Sequence, residues 1–369
     1  MDSSIKVIAL YLPQFHPTKD NDEWWGKGFT EWTNVGKAKA LFRNHYQPKV
    51  PADLGYYDLR IPEVRDQQAE LAKEAGVYGF CYYHYWFGNS RQELEMPFQE
   101  VLRLGKPDFP FCLCWANESW HSKFWGTDGT IVKQCLIEQI YDDYNGQIEH
   151  FNHLLPAFKD QRYIKIDGKP LFMIYKPFDF PNIEGFISLW NSLAKENGLD
   201  GIHFVAHLFS DVNQNTIDTL ISKGFNAVNT LGLQEAMRPS ESIVKRLYRR
   251  LKSSVGMVSR IYDYRAIYKS FLHSVDSNNN VYPSIIPNWD HTPRSGKAGS
   301  VIINSTPSMF AKHIRQAFSL VASKPNDSKI VFLKSWNEWG EGNYIEPDLV
   351  YGKEYIMTLK AELDNYNNI

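Results

Sequence analysis

Near the end of the chain, "SWNEWGEG" (335–342) sets two glutamates, Glu338 and Glu341, three residues apart beside Trp336 and Trp339. Two carboxyl groups in so short a stretch can divide acid and base work, provided their surroundings push their proton affinities apart. An adjoining indole supplies one such push, because burial disfavours the charged form of one carboxyl while the other stays ionised. Cleaving a glycosidic bond needs this division: an acid for the leaving oxygen and a second carboxylate assisting at the sugar ring. Gly340 and Gly342 let the backbone turn tightly and approach a ligand. They also argue against a helix, where a Glu-x-x-Glu pair is a solvated face. A solvated loop is the competing reading of the stretch.

Other residues are suited to holding a sugar. Glu118, in "CWANESWH" between Trp115 and Trp120, is a rival carboxylate or a hydroxyl ligand. His16, His84 and His207 can bind hydroxyls, serve as acid/base groups, or make plain structural hydrogen bonds. Asp290, His291 and Arg294 offer contacts to a polar or acidic sugar. Tyr11, Gln14, Tyr82, Asn117, Tyr175, Trp289 and Asn337 complete the candidate binding set, whereas Glu346, before Pro347, reads as a loop or cap contact. Aromatic residues make up 15% of the chain, more than a core alone needs, and their faces can stack on the C–H faces of sugars. No metal or cofactor is expected: Cys81, Cys112, Cys114 and Cys135 lack paired ligand spacing, and there is no P-loop, G-x-S-x-G or H-E-x-x-H. Asp20 and Asp22 spell a lone D-x-D, weak as a nucleotide-diphosphate signature.

What must position these residues is a series of short apolar runs, each followed by a polar and aromatic end. The runs are 5–12, 77–84, 110–116, 170–175, 202–208, 225–228, 284–287 and 330–335, with helical patterns at 62–75, 91–105, 143–159, 183–197, 213–222, 307–322 and 351–365. Near-continuous apolar strands alternating with helices imply a parallel sheet covered on both faces, and eight such units point to a (β/α)8 barrel over 1–369 as one domain. A doubly wound sheet is the alternative, but no G-x-G-x-x-G follows the first strand. In a barrel the site lies at the C-terminal ends of the strands, which is where the candidate residues recur. Two insertions interrupt the pattern, at about 17–60 and 236–282; the first is long enough to be a lid or binding element.

The formal net charge of −2 gives no global reason to expect nucleic acid. Within the second insertion, 238–269 carries nine Lys or Arg against two acidic residues, with Ile243, Leu247 and Leu251 at spacing four. Such a segment can lie on an anionic membrane surface, meet an acidic glycan, or pack its apolar stripe on the barrel as a solvated helix. The opening apolar run is too short for a signal peptide, so a cytoplasmic location is expected.

Taken together, "ALYLPQFHP", "GFTEWTNV", "LGYYDLR", "GFCYYHYWF", "CWANESW" and "SWNEWGEG" resemble the WbsX-like family of lipopolysaccharide O-antigen and capsule gene clusters. That family is often labelled glycosyltransferase and is related to glycoside hydrolase family 99. The resemblance spans about 6–365 and implies the same barrel. In family 99, which cleaves α-mannosides internally with retention, two glutamates of a "WNEW-x-EG" segment act together. Carried over, Glu341 takes the general acid/base position, and Glu338 the position that deprotonates the sugar 2-hydroxyl to form a 1,2-anhydro intermediate. Family 99 tends to have a histidine where this chain has Gly340, and the first-strand motif also departs from the hydrolase pattern; both leave the sugar open. The expected activity is therefore that of a retaining glycoside hydrolase acting on a polysaccharide or O-antigen-type glycan. The alternatives are a glycosyltransferase building such a glycan and a non-catalytic glycan-binding protein.

Overall fold

The computed structural model describes residues 4–125, 131–238, 258 and 260–367. Eight parallel strands close into a barrel: β1 (Lys6–Tyr11), β2 (Gly79–Trp86), β3 (Phe111–Trp115), β4 (Lys169–Ile174), β5 (His203–Leu208), β6 (Ala227–Thr230), β7 (Val281–Ile285) and β8 (Ile330–Leu333). Each pairs with its neighbour in chain order, and β1 pairs with both β2 (Ala9 opposite Phe80) and β8 (Ala9 opposite Leu333), which completes the ring. The strands are buried on both faces, as near-continuous apolar runs require. At the start of β2 the approach to the next strand is tight: a Cβ on Gly79 would lie 2.5 Å from the Pro110 carbonyl oxygen, so only glycine fits.

Seven long helices cover the ring: α1 (Pro62–Glu74), α2 (Met96–Leu104), α3 (Tyr144–Lys159), α4 (Ile183–Glu196), α5 (Gln214–Ser222), α6 (Pro307–Val321) and α7 (Glu354–Asn367). Their starts follow local chemistry. Asp143, Asn182, Asn213 and Thr306 each cap a helix by accepting a backbone N–H three residues on, and Pro62 and Pro307 occupy first turns where no N–H is needed. Between α3, α4 and the sheet, Trp190 is fully buried among Phe151, Phe158, Phe172 and Phe186.

Several boundaries differ from the sequence reading. The sixth and seventh strands lie at 227–230 and 281–285 rather than 225–228 and 284–287. The helix expected from 91 begins at Met96, because Gly88, Asn89, Ser90 and Leu94 adopt left-handed backbone and Gln92–Glu93 pairs with the end of β2. The helix expected from 351 begins at Glu354, after a left-handed turn at Gly352. A hairpin of Trp120–Trp125 and Ile131–Ile137 between β3 and α3 has no counterpart in the expected elements.

The first insertion folds into the short helices Lys19–Trp25 and Glu31–Gly36 with extended chain. Its Trp32 packs on Phe15, Tyr57 and Trp339, which ties the insertion to the last strand-end loop. Of the basic segment 238–269, residues 239–257 and 259 lie outside the described residues, and with them most of the expected membrane or acidic-glycan contact. The described remainder includes strand Arg260–Asp263, which pairs in parallel with Ser300–Ile303. Among the described residues, no helix is long and apolar enough to cross a membrane.

Candidate active site

The loop after β8 brings Glu338 and Glu341 together by a simple device. Trp339–Glu341 forms one turn of 3-10 helix with Glu338 at its N-terminal edge. At three residues per turn, positions i and i+3 eclipse, so both carboxyl groups project from one side and hydrogen-bond each other. The turn is held from outside. Asn337 accepts from the Leu12 backbone N–H (2.8 Å) and donates to the Leu12 carbonyl (3.0 Å), and the Asp290 N–H donates to the Glu341 carbonyl (2.7 Å).

Lys334, the residue after β8, is the cation at the centre. Its Nζ donates to Glu338 Oε2 at 2.6 Å and to the Tyr83 hydroxyl at 3.1 Å, and lies 3.8 Å from Glu341 Oε2. On the other side, Arg294 Nη1 donates to Glu341 Oε1 at 2.6 Å, with His291 Nε2 at 3.8 Å. Burial and the neighbouring Glu341 charge push Glu338 up to about 7, against the pull of Lys334. Burial acts on Glu341 in the same direction, but Arg294 and Lys334 more than offset it and hold this carboxyl below its usual range. The pair therefore exchanges a proton around neutral pH, and the carboxyl that favours holding it is Glu338.

Aromatic and imidazole groups surround the pair. Tyr175 stacks on His207 (4.9 Å between centroids) and meets Tyr83 edge-on, while Trp120 stands edge-on to Tyr85 and Trp24. His207 is bonded through Nδ1 to Asn229 (2.7 Å), and burial lowers its proton affinity to about 4. Among the described residues its buried Nε2 has no hydrogen-bond partner. Trp289 stacks on His291, and the exposed Glu118 lies 3.6 Å from the Lys176 ammonium.

Other candidates lie elsewhere. Tyr11, Tyr82, His84 and Trp115 point into the helix layer. Tyr11 donates to Gln68 of α1, Tyr82 packs on Phe98 of α2, His84 Nε2 meets His150 Nε2 of α3 at 2.8 Å, and Trp115 packs on His150 and Phe186. Trp336 and Trp339 are buried, Trp336 against Phe80 and Trp339 against Trp32 and Tyr344. Trp339 donates to Glu346 (2.6 Å), which also takes bonds from Gln68 and Tyr57 and is pushed up to about 7 by burial. Asn117 clamps Lys176, Gln14 is half-buried with its carbonyl bound by Glu31 N–H, and His16 is bonded to the Pro13 carbonyl. Asp290 is a structural anchor, held to about 2 against the effect of burial by His45, Lys49, Thr292 and Gln47.

Sequence reasoning placed Tyr83 and Tyr85 at the end of the second strand without choosing them as site residues, and it missed Lys334 and Glu31. Side chains alternate along a strand, so choosing Tyr82 and His84 on β2 selects the wrong face, and with both faces apolar the phase has no sequence signal. Lys334 did leave one: a lysine ending an otherwise apolar strand, four residues before Glu338. Among the described residues, no group of His, Cys, Asp and Glu is arranged to hold a metal ion.

Comparison with known proteins gives three findings. A family model described as Glycosyltransferase WbsX matches residues 7–359. WxcX of Xanthomonas campestris pv. campestris strains B100 and ATCC 33913 is 33% identical over 358 residues, which cover 97% of this chain and 49% of the relative; the chain spans about half the length of these relatives. Among solved structures, the GH99 endo-alpha-mannosidase from Bacteroides thetaiotaomicron is similar at TM-score 0.57 and 14% identity, over 100% of this chain and 98% of that one. A glycoside hydrolase-like protein is similar at TM-score 0.62 and 15% identity, over 98% and 94%. At such identities these structures speak for the barrel fold.

Proposed function

The chain belongs to the WbsX glycosyltransferase family, and from that premise and the geometry of its strand-end loop we propose that it is a retaining glycoside hydrolase acting on a polysaccharide or O-antigen-type glycan. The observation that carries the reading is the Glu338–Glu341 pair: two hydrogen-bonded carboxyls around one lysine, with opposite charge preferences at neutral pH. A carboxyl near 7 is poised to take or give a proton at working pH.

In the proposed reaction the proton of Glu338 first passes to Glu341 along their shared hydrogen bond. Glu338, now charged, removes the proton of the sugar 2-hydroxyl, whose oxygen attacks C1 while Glu341 protonates the departing glycosidic oxygen. The C1–oxygen bond breaks and a 1,2-anhydro sugar forms without an enzyme nucleophile. Water then opens the ring, with Glu341 taking its proton and Glu338 returning one to O2. O2 attacks C1 opposite the leaving group and water then attacks opposite O2, so the two inversions give overall retention. The carboxyls need not straddle the ring, so the usual two-carboxylate separation does not apply to this pair. Tyr175, His207, Trp120, Trp289 and Glu118 are the proposed sugar contacts.

A glycosyltransferase that builds the glycan is the second reading, favoured by the description of the family itself. The two part on one experiment: the surface polysaccharide made by the source cell is incubated with wild type, Glu338→Gln and Glu341→Gln. Oligosaccharide release by wild type alone supports hydrolysis, and turnover only with a nucleotide sugar supports transfer.

A further inference from the structure

Glu31 is a buried carboxylate outside the chemistry above. It opens the helix Glu31–Gly36 within "GFTEWTNV" of the first insertion and is 1% exposed. Its oxygens accept from Arg294 Nε (2.9 Å) and Nη2 (3.1 Å), while Nη1 of the same guanidinium serves Glu341 (2.6 Å). One arginine thus joins the first insertion to the catalytic turn. The space Glu31 occupies belongs to Gly340: a Cβ there would overlap Glu31 Oε1 and lie 3.1 Å from Arg294 Nε. Gly340 does not adopt left-handed backbone, so glycine is needed here for room and not for conformational freedom.

We propose that Glu31 is a positioning residue for the glutamate pair: lodged in the space left by Gly340, it fixes the Arg294 guanidinium against Glu341, so that the proton stays on Glu338 until that contact opens. The inference rests on the reading of Glu338 and Glu341 as the reacting pair. The groups facing Glu341 are Arg294 and His291 from the loop after β7, Lys334 and Glu338 from its own loop, Glu31 from the insertion and the Tyr175 phenol from the end of β4. Of these, only Arg294 makes a close cationic contact with Glu341. A sugar that enters between Arg294 and Glu341 removes that contact. The proton then moves from a Glu338 oxygen to a Glu341 oxygen, the arrangement from which cleavage begins. Arming is thereby coupled to occupancy of the site.

The test needs no turnover. The full chain is labelled at glutamate side-chain carbonyl carbons and titrated by NMR, with Glu338→Gln and Glu341→Gln identifying the two resonances. Glu31→Ala, which removes the side chain that holds the guanidinium, and Gly340→Ala, which displaces the carboxylate, should each raise the Glu341 midpoint by about one pH unit or more, the size of losing a close opposite charge. If Glu31 were a mere charged neighbour, its neutralisation would lower the Glu341 midpoint or leave it fixed, and either result overturns the proposal. Placement is tested separately by a thermal double-mutant cycle: Gly340→Ala should lower the melting midpoint in wild type and not in Glu31→Ala. Equal losses in both backgrounds would overturn it. The hydrolase reading fails on a different observation, glycan release that survives both glutamate substitutions.

Discussion

Replacing Glu338 by glutamine removes a titrating carboxyl from a buried site while nearly preserving its shape, and the consequence for stability can be worked out. Glu338 is 4% exposed, and its proton affinity rises from 4.5 in the unfolded chain to about 7 when folded. A folded value above the unfolded one means that the native state binds more protons between these limits. The contribution to stability is thus fully present below pH 4.5 and is lost as pH rises toward 7. At 1.36 kcal/mol per unit, the loss between pH 5 and pH 8 is about 2–3 kcal/mol in wild type and absent in Glu338→Gln. Urea unfolding of both proteins at half-unit pH intervals gives a difference curve in which unaffected groups cancel. The two stability profiles should diverge by about this amount across the window, with the variant gaining as pH rises. Parallel profiles would show that Glu338 is ionised at neutral pH in the folded chain, and the account of the pair's proton would fall.

Further expectations follow from the same geometry. Lys334→Met removes the cation 2.6 Å from Glu338, so the Glu338 midpoint should rise by about one to three units in an NMR titration. Trp115→Ala should cost about 3–5 kcal/mol of stability in urea unfolding and leave glycan affinity unchanged, because the ring packs under α3 and α4; Tyr175→Ala should instead weaken glycan binding measured by calorimetry. His84 and His207, held by burial at about 3 and about 4, are neutral when folded and protonated when unfolded. Their contribution is present above the unfolded value of 6.5 and is lost as pH falls through the folded ones. The midpoint of acid unfolding, followed by circular dichroism, should therefore move down in His84→Gln provided the packing survives, as checked at pH 8.

The eight strands were legible because a barrel strand covered on both faces must be apolar throughout, and "IKVIALYL" or "PLFMIY" have no other plausible place in a folded chain. Boundaries shifted where backbone conformation, invisible to hydrophobic periodicity, decides the matter, as at Leu94 with its positive φ. The glutamate pair was legible from its spacing and its place after the last strand. Burial raises Glu338, with the Glu341 charge adding to it, while Trp339 also donates to Glu346 and Trp336 packs on Phe80. Glu31 and Arg294 meet across 263 positions of sequence, and such a pairing leaves no local pattern to find. What joins them is the return of the first insertion over the last strand-end loop, a property of the closed ring.

The central claim is that the pair breaks glycosidic bonds, and the most direct measurement is proton NMR of the source cell's polysaccharide during incubation with the chain and no nucleotide sugar. The account expects new reducing-end signals that first appear in the anomeric configuration of the bond cleaved, and that vanish with Glu338→Gln and with Glu341→Gln. Signals of inverted configuration, or release that persists in either variant, would contradict it.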